Sequence, residues 1–286
     1  MRTRSIGGVA VGEIGLGGMP MSIEGRPDEQ RSVRTIHAAL DAGVTLIDTA
    51  DAYHLTANDV GHNETLIARA VASYGGDTSE VLIATKGGHL RPGDGSWTID
   101  GRPEYLKEAC DASLKRLGVE AIGLYQHHRP DPAVPYADSI GAIRDLLDAG
   151  KIRLAGISNA NPDQIRQAHE ILGGRLASVQ NQLSPAFRSS EPELDLCTEL
   201  GVAFLPYSPL GGIARAGELG GRFGEFARVA GERGVSPQRV CLAWLLAKGP
   251  TVVPIPGASR PETIVDSAGA ADLTLTADEL AALDAA

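Results

Sequence analysis

Cysteine is scarce in this chain: Cys110, Cys197 and Cys241 are the only three in 286 residues, far apart and without metal-ligand spacing. That excludes a disulfide framework and gives no metal site. The three are expected to be small buried hydrophobes lying in helices. An odd, sparse complement suits a reducing compartment, so the expected location is the cytoplasm. Basic residues are also short, 26 against 36 acidic, for a formal net charge of -10. A nucleic-acid backbone or an anionic membrane needs a positive face, so neither is expected as the main partner. No apolar run approaches the roughly 18 residues that cross a bilayer, and no signal-like segment follows the basic N-terminal residues. Linkers, low-complexity tracts and charge blocks are missing as well, so residues 1–286 read as one domain. Oligomeric state is not readable from any of this.

What the chain does contain is 43% hydrophobic residues, enough for one large core, arranged in a repeating order. Gly7-Gly8 marks a turn between short apolar stretches, predicting an N-terminal β-hairpin that leads into a strand near Glu13 to Gly18. Short apolar strands are then expected at 44–48, 81–86, 122–128, 152–158, 178–180, 202–206 and 251–254. Between them run helical patterns at 28–42, 64–73, 103–117, 138–149, 161–172, 193–200 and 236–247. Asn161-Pro162 and Ser236-Pro237 are cap-and-proline openings, and Thr276 with Glu279 forms a capping box for a C-terminal helix. A further helix is expected at 261–268. Several strands are continuously apolar, as in a parallel sheet buried on both faces. Eight strands alternating with helices predict an α/β fold, a (β/α)8 barrel with an N-terminal hairpin. A doubly wound sheet shares this periodicity. Gly15-x-Gly17-Gly18 is no dinucleotide fingerprint, because Pro20 stands where a helix should begin.

Barrels place chemistry at the carboxyl ends of their strands. The polar residues there are Asp48 and Tyr53, Lys86, His128, Ser158 and Asn159, Gln180, and Tyr207 with Ser208. Four ionisable groups at successive strand ends suggest carbonyl reduction, which needs a hydride on carbon and a proton on oxygen. A tyrosine holds its proton reliably near pH 7 but releases it poorly. A neighbouring Lys86 ammonium would make Tyr53 a better acid, and Asp48 would keep that lysine charged. His128 offers a ring N–H to orient the carbonyl and stabilise charge developing on its oxygen.

Asp48-Thr49-Ala50-Asp51-Ala52-Tyr53, Ala84-Thr85-Lys86 and Tyr125-Gln126-His127-His128-Arg129-Pro130 resemble the signatures of the aldo-keto reductase superfamily. So do Gly156-Ile157-Ser158-Asn159, Val179-Gln180-Asn181-Gln182, Pro206-Tyr207-Ser208-Pro209-Leu210 and Ile255-Pro256-Gly257-Ala258-Ser259-Arg260, in order and in register. The likeness runs from Gly15 to about Ala270 and is nearest to the bacterial pyridoxal-reductase and potassium-channel β-subunit-like branch. The resemblance implies that Asp48, Tyr53, Lys86 and His128 are a catalytic tetrad with Tyr53 as general acid. It implies that Ser158, Asn159 and Gln180 hold a nicotinamide carboxamide and that Tyr207 stacks on the ring. Ser208, Leu210, Gly211 and Gly212 match a pyrophosphate loop. Gly257, Ser259 and Arg260 resemble a 2′-phosphate site, which favours NADPH over NADH. The expected partner is a small carbonyl substrate. Two other functions stay open: a cofactor-binding regulatory subunit with little turnover, and a Schiff-base aldolase using Lys86.

Weaker signals concern the walls. Met19 and Met21 follow the first strand, and Trp97 sits in a glycine-containing loop from 87 to 100 beside His89 and Arg91. Met19, Tyr53, Trp97 and His128 are the candidate substrate pocket. Leu183 stands where this family often has an aromatic and is expected to reshape the wall. His127, on the strand face opposite 126 and 128, is expected to be a hydrogen-bonded histidine in the helix-facing layer.

Overall fold

A computed structural model describes residues 1–286. Gly7 and Gly8 both take positive φ, 55° and 89°, as a two-residue reversal between twisted strands requires. They join β1 (Thr3–Ile6) to β2 (Val9–Gly12), with Ile6 opposite Val9. Ile6 and Val11 are fully buried among Leu46, Leu124, Leu205 and Ile255, so the hairpin plugs one mouth of the ring that follows. Arg4 ties it down, donating to the Leu246 carbonyl at 2.9 Å and the Val252 carbonyl at 2.5 Å.

The ring is built from β3 (Leu16–Gly17), β4 (Leu46–Asp48), β5 (Leu82–Gly87), β8 (Ile122–His127), β9 (Ile152–Ser158), β10 (Leu176–Gln180) and β11 (Ala203–Phe204). Each is parallel to its neighbours, in that order. Residues 251–257 close it. The Val253 and Ile255 amides donate to Phe204 and Pro206, while the Pro254 and Pro256 carbonyls accept from Gly15 and Gly17. Prolines at 254 and 256 have no N–H to return, so the seam toward β3 is half-bonded. It closes only over bare glycines: a Cβ on Gly257 would meet Pro20 at 2.8 Å, and one on Gly17 would meet the Ile255 carbonyl at 2.9 Å. The (β/α)8 expectation is met, and the doubly wound alternative falls with that closure.

The helices are α1 (Glu29–Asp41), α2 (His62–Ala72), α3 (Pro103–Leu117), α4 (Tyr136–Asp148), α5 (Pro162–Ile171), α6 (Glu191–Leu200), α7 (Leu219–Arg222), α8 (Gly224–Arg233), α9 (Pro237–Ala247), α10 (Pro261–Ala268) and α11 (Ala277–Asp284). The side chains of Asp28, Asn161, Ser236 and Thr276 each accept from the backbone amide three residues on, satisfying donors a helix start leaves free. Helix α7 is not visible in the apolar pattern, because Gly217, Gly220 and Gly221 interrupt it, and α8, with Phe226, Val229 and Ala230 on one face, is a further helix beyond those expected. The loop after β5 also holds an unforeseen hairpin, β6 (His89–Leu90) paired with β7 (Thr98–Ile99).

Cys110, Cys197 and Cys241 are free, buried and helical. Two expectations for the walls are corrected. Met21 is fully buried against Ile36, Ile67 and Ile264, and Leu183 is fully buried in the main core. Neither can touch a ligand. No helix is long and apolar enough to cross a membrane.

Candidate active site

Parallel staves bring their carboxyl ends to one mouth, and the four ionisable residues meet there. Asp48 ends β4, Lys86 lies near the end of β5, and His128 follows β8. Tyr53 reaches them from the loop after β4, its carbonyl anchored by the Asn63 amide at the start of α2. The Lys86 side chain is fully buried, with Nζ 2.6 Å from Asp48 Oδ2, 2.8 Å from the Thr49 carbonyl and 3.3 Å from the Tyr53 hydroxyl. Burial works against the ammonium, but Asp48 and Tyr53 outweigh it and raise the Lys86 pKa. Burial likewise raises the Tyr53 phenol, more than Lys86 lowers it. At neutral pH the site therefore holds a protonated phenol beside an ammonium.

His128 stands edge-on to the Tyr53 ring, centroids 5.9 Å apart. Burial first, then Lys86 and the cations around it, push its imidazole well below the usual range. It is a neutral ring. A second imidazole, His89 on β6, packs edge-on against it at 4.9 Å and stacks on Trp97 at 4.7 Å. Arg91 lies over the other part of this assembly, 5.2 Å from the Trp97 ring, and is itself held by Glu24 and the His54 carbonyl.

The opposite wall comes from β9, β10 and the segment after β11. The Ser158 hydroxyl donates to the Gln180 carbonyl at 2.7 Å. Asn159 donates to the His128 carbonyl at 3.0 Å, and the Tyr207 hydroxyl donates to Asn159 Oδ1 at 2.8 Å. Gln180 donates its amide to Asp48 Oδ1 at 2.7 Å, a bond to the tetrad that sequence reasoning did not anticipate. Asn159 and Ser208, at φ 57° and 48°, are the only non-glycine residues with positive φ, and both line the cleft. Such backbone is costly and persists where the surroundings hold it, so its confinement here marks a built site.

These walls enclose a cleft of about 230 Å³. Asp48, Tyr53, His128, Ser158, Asn159, Gln180, Tyr207, Ser208, Leu210, Gly257, Met19 and Trp97 all line it. Lys86 lies behind the lining, while Ser259 and Arg260 fall outside it, with Arg260 exposed at the start of α10. Trp97 lines the cleft while packing on His89. Sequence reasoning missed His89 and Arg129 as lining residues; their only signal is position, three residues past Lys86 and one past His128. His127 does face the helical layer, 5.9 Å from the Tyr136 ring, but neither ring nitrogen has a partner. The hydrogen-bonded histidine expected there is not formed; the neighbouring Tyr136 hydroxyl is buried without a partner as well.

The family model described as "Aldo/keto reductase family" matches residues 13–286. A probable aldo-keto reductase of Glycine max is 33% identical over 96% of this chain and 84% of its own. An oxidoreductase of Schizosaccharomyces pombe is 32% identical over 99% and 89%. Among solved structures, the glycerol dehydrogenase of Gluconobacter oxydans superposes with a TM-score of 0.84 at 29% identity, covering 99% of this chain and 94% of that one. An aldo/keto reductase of Klebsiella pneumoniae, solved with NADP and acetate, gives 0.81 at 28% identity, covering 100% and 95%. A barrel with its polar residues gathered at the carboxyl ends of its strands places the molecule in the class of (β/α)8-barrel enzymes. The chain belongs to the aldo/keto reductase family.

Proposed function

We propose that this protein reduces an aldehyde or ketone to an alcohol with NADPH as hydride donor. The observation that carries the reading is Lys86 Nζ bridging Asp48 and the Tyr53 hydroxyl at the floor of the cleft. NADPH would be held by Ser158, Asn159, Gln180 and Tyr207 at its nicotinamide end and by Ser208 to Gly212 at its pyrophosphate. The left-handed backbone at Asn159 and Ser208 and the open glycines 211 and 212 fit that assignment. Ser259 and Arg260 would reach the 2′-phosphate. The bound cofactor supplies a hydride to the carbonyl carbon.

The protein's own residues do the rest. His128, neutral and edge-on to Tyr53, orients the carbonyl oxygen toward the phenol. The Tyr53 hydroxyl gives its proton to that oxygen as negative charge develops there. The ammonium of Lys86, 3.3 Å away, stabilises the phenolate that remains, and Asp48 keeps the ammonium charged. Trp97 and Met19 line the same cleft and offer apolar surface to the substrate. A Schiff-base aldolase is disfavoured, since its lysine must be a free amine and Lys86 is an ammonium with three acceptors.

Steady-state loss of reduced-cofactor absorbance with a panel of aldehydes and ketones tests the reading. Turnover with at least one carbonyl is expected. Tight NADPH binding with no turnover of any of them would favour a regulatory cofactor-binding role instead.

A further inference from the structure

Charges lining or backing the cleft are paired, with one exception. Lys86 answers Asp48, and Arg91 answers Glu24 and the His54 carbonyl. Arg129, immediately after His128, lines the cleft half-buried, and no carboxylate lies within 4.0 Å of it. It stands beside the Tyr207 hydroxyl, and its charge reaches both His89 and His128. A guanidinium withdrawn from water without a counter-charge is unfavourable in the empty site and becomes favourable when an anion arrives. Its planar fork matches a carboxylate or phosphate in two parallel hydrogen bonds.

Chain order sets this cation apart from the loop proposed for the cofactor's pyrophosphate, although its guanidinium stands beside Tyr207 at the start of that loop. The loop from Ser208 to Gly212 follows β11, whereas Arg129 follows β8 and adjoins the residue that orients the carbonyl. His89, packed on Trp97 and edge-on to His128, lines the same end of the cleft. The protein is acidic overall, so a single uncompensated arginine at this spot is a local feature rather than a basic surface.

We propose that Arg129 determines substrate specificity and that the substrate is a carbonyl compound carrying an anionic group, a carboxylate or a phosphate monoester. The inference rests on the cleft being a carbonyl-reductase site and names the class of carbonyl it takes.

Matched pairs test it, with NADPH saturating: 4-carboxybenzaldehyde against 4-methylbenzaldehyde, succinic semialdehyde against butanal, and glyceraldehyde 3-phosphate against glyceraldehyde. At least one charged member is expected to exceed its neutral partner in kcat/KM by roughly 10- to 100-fold, the range of a charge-assisted hydrogen bond. A gain in the first two pairs only identifies a carboxylate; a gain in the third only identifies a phosphate. Arg129→Gln should bring the favoured pair within about threefold, mainly by raising KM for the charged member, and Arg129→Lys should restore part of the difference. Equal kcat/KM within every pair in the unmodified protein would overturn the inference while leaving the reductase reading standing. So would an Arg129→Gln effect confined to the KM for NADPH, which would assign the guanidinium to the cofactor. Turnover of no pair at all would remove the reductase reading, and this inference with it.

Discussion

Gln180 Nε2 lies 2.7 Å from Asp48 Oδ1, although 132 positions separate the two residues in the chain. The side chain expected to hold the cofactor's carboxamide thus also steadies the carboxylate that pairs with Lys86. Gln126 approaches the same oxygen at 3.4 Å, so Asp48 is held on both sides. Gln180→Met should lower kcat by about tenfold as well as raising the KM for NADPH, since a lost hydrogen bond to a charged group is worth roughly 1.5 kcal/mol or more. A change in KM alone, measured by steady-state kinetics, would show that the bond to Asp48 contributes nothing to the acid.

Removing the proposed proton donor should spare the fold. Tyr53→Phe keeps the ring that packs against His128 and loses only the hydroxyl near Lys86. Turnover is expected to fall by roughly 10²- to 10⁴-fold while the Kd for NADPH, read by fluorescence titration, changes less than about twofold. Unchanged turnover would refute the assignment of Tyr53.

Arg260 lies outside the cleft lining and exposed at the start of α10, where an outlying phosphate could reach it. Arg260→Ala should raise the KM for NADPH by about tenfold or more and leave that for NADH nearly unchanged. Equal effects on the two cofactors would reject contact with the 2′-phosphate.

His127 makes a prediction about acid stability. Burial lowers its pKa from 6.5 to about 4 in the folded chain, and no hydrogen bond compensates either nitrogen. The unfolded chain takes up the proton first as pH falls, so this residue's contribution is complete above pH 6.5 and is lost between about 6.5 and 4. The loss amounts to roughly 3 kcal/mol. His127→Phe should flatten that part of the stability profile in urea titrations run from pH 7 to 4. His89 and His128 also have lowered pKa values and titrate in the same direction, so a slope remains in the variant. Identical slopes in the two proteins would show that burial does not lower the His127 pKa.

The framework was legible where local chemistry decides it. Asn161-Pro162, Ser236-Pro237 and the Thr276–Glu279 box announce helices that form within a residue or so of their expected starts. Strand ends pointed to Asp48, Lys86 and His128 because parallel staves must deliver their termini to one mouth. Helix α7 stayed hidden, since glycines at 217, 220 and 221 erase the apolar period that would mark it, whereas α8 carries a readable face at Phe226, Val229 and Ala230. The role of His89 was hidden for another reason. It faces His128 because β6 pairs with β7 across a seven-residue excursion, a relationship set by tertiary packing rather than by neighbours in sequence. Met21 and Leu183 erred in the opposite direction: apolar residues near a pocket in sequence turn inward as readily as toward a ligand.

The prolines of residues 251–257 bear on how the ring opens. Toward β11 the closing strand both gives and receives hydrogen bonds; toward β3 it only receives them, from Gly15 and Gly17. A cylinder stitched on one side and merely clasped on the other has a preferred line of rupture. Isotope exchange at the Gly15 and Gly17 amides would register that opening before the staves next to Lys86 and His128 begin to part.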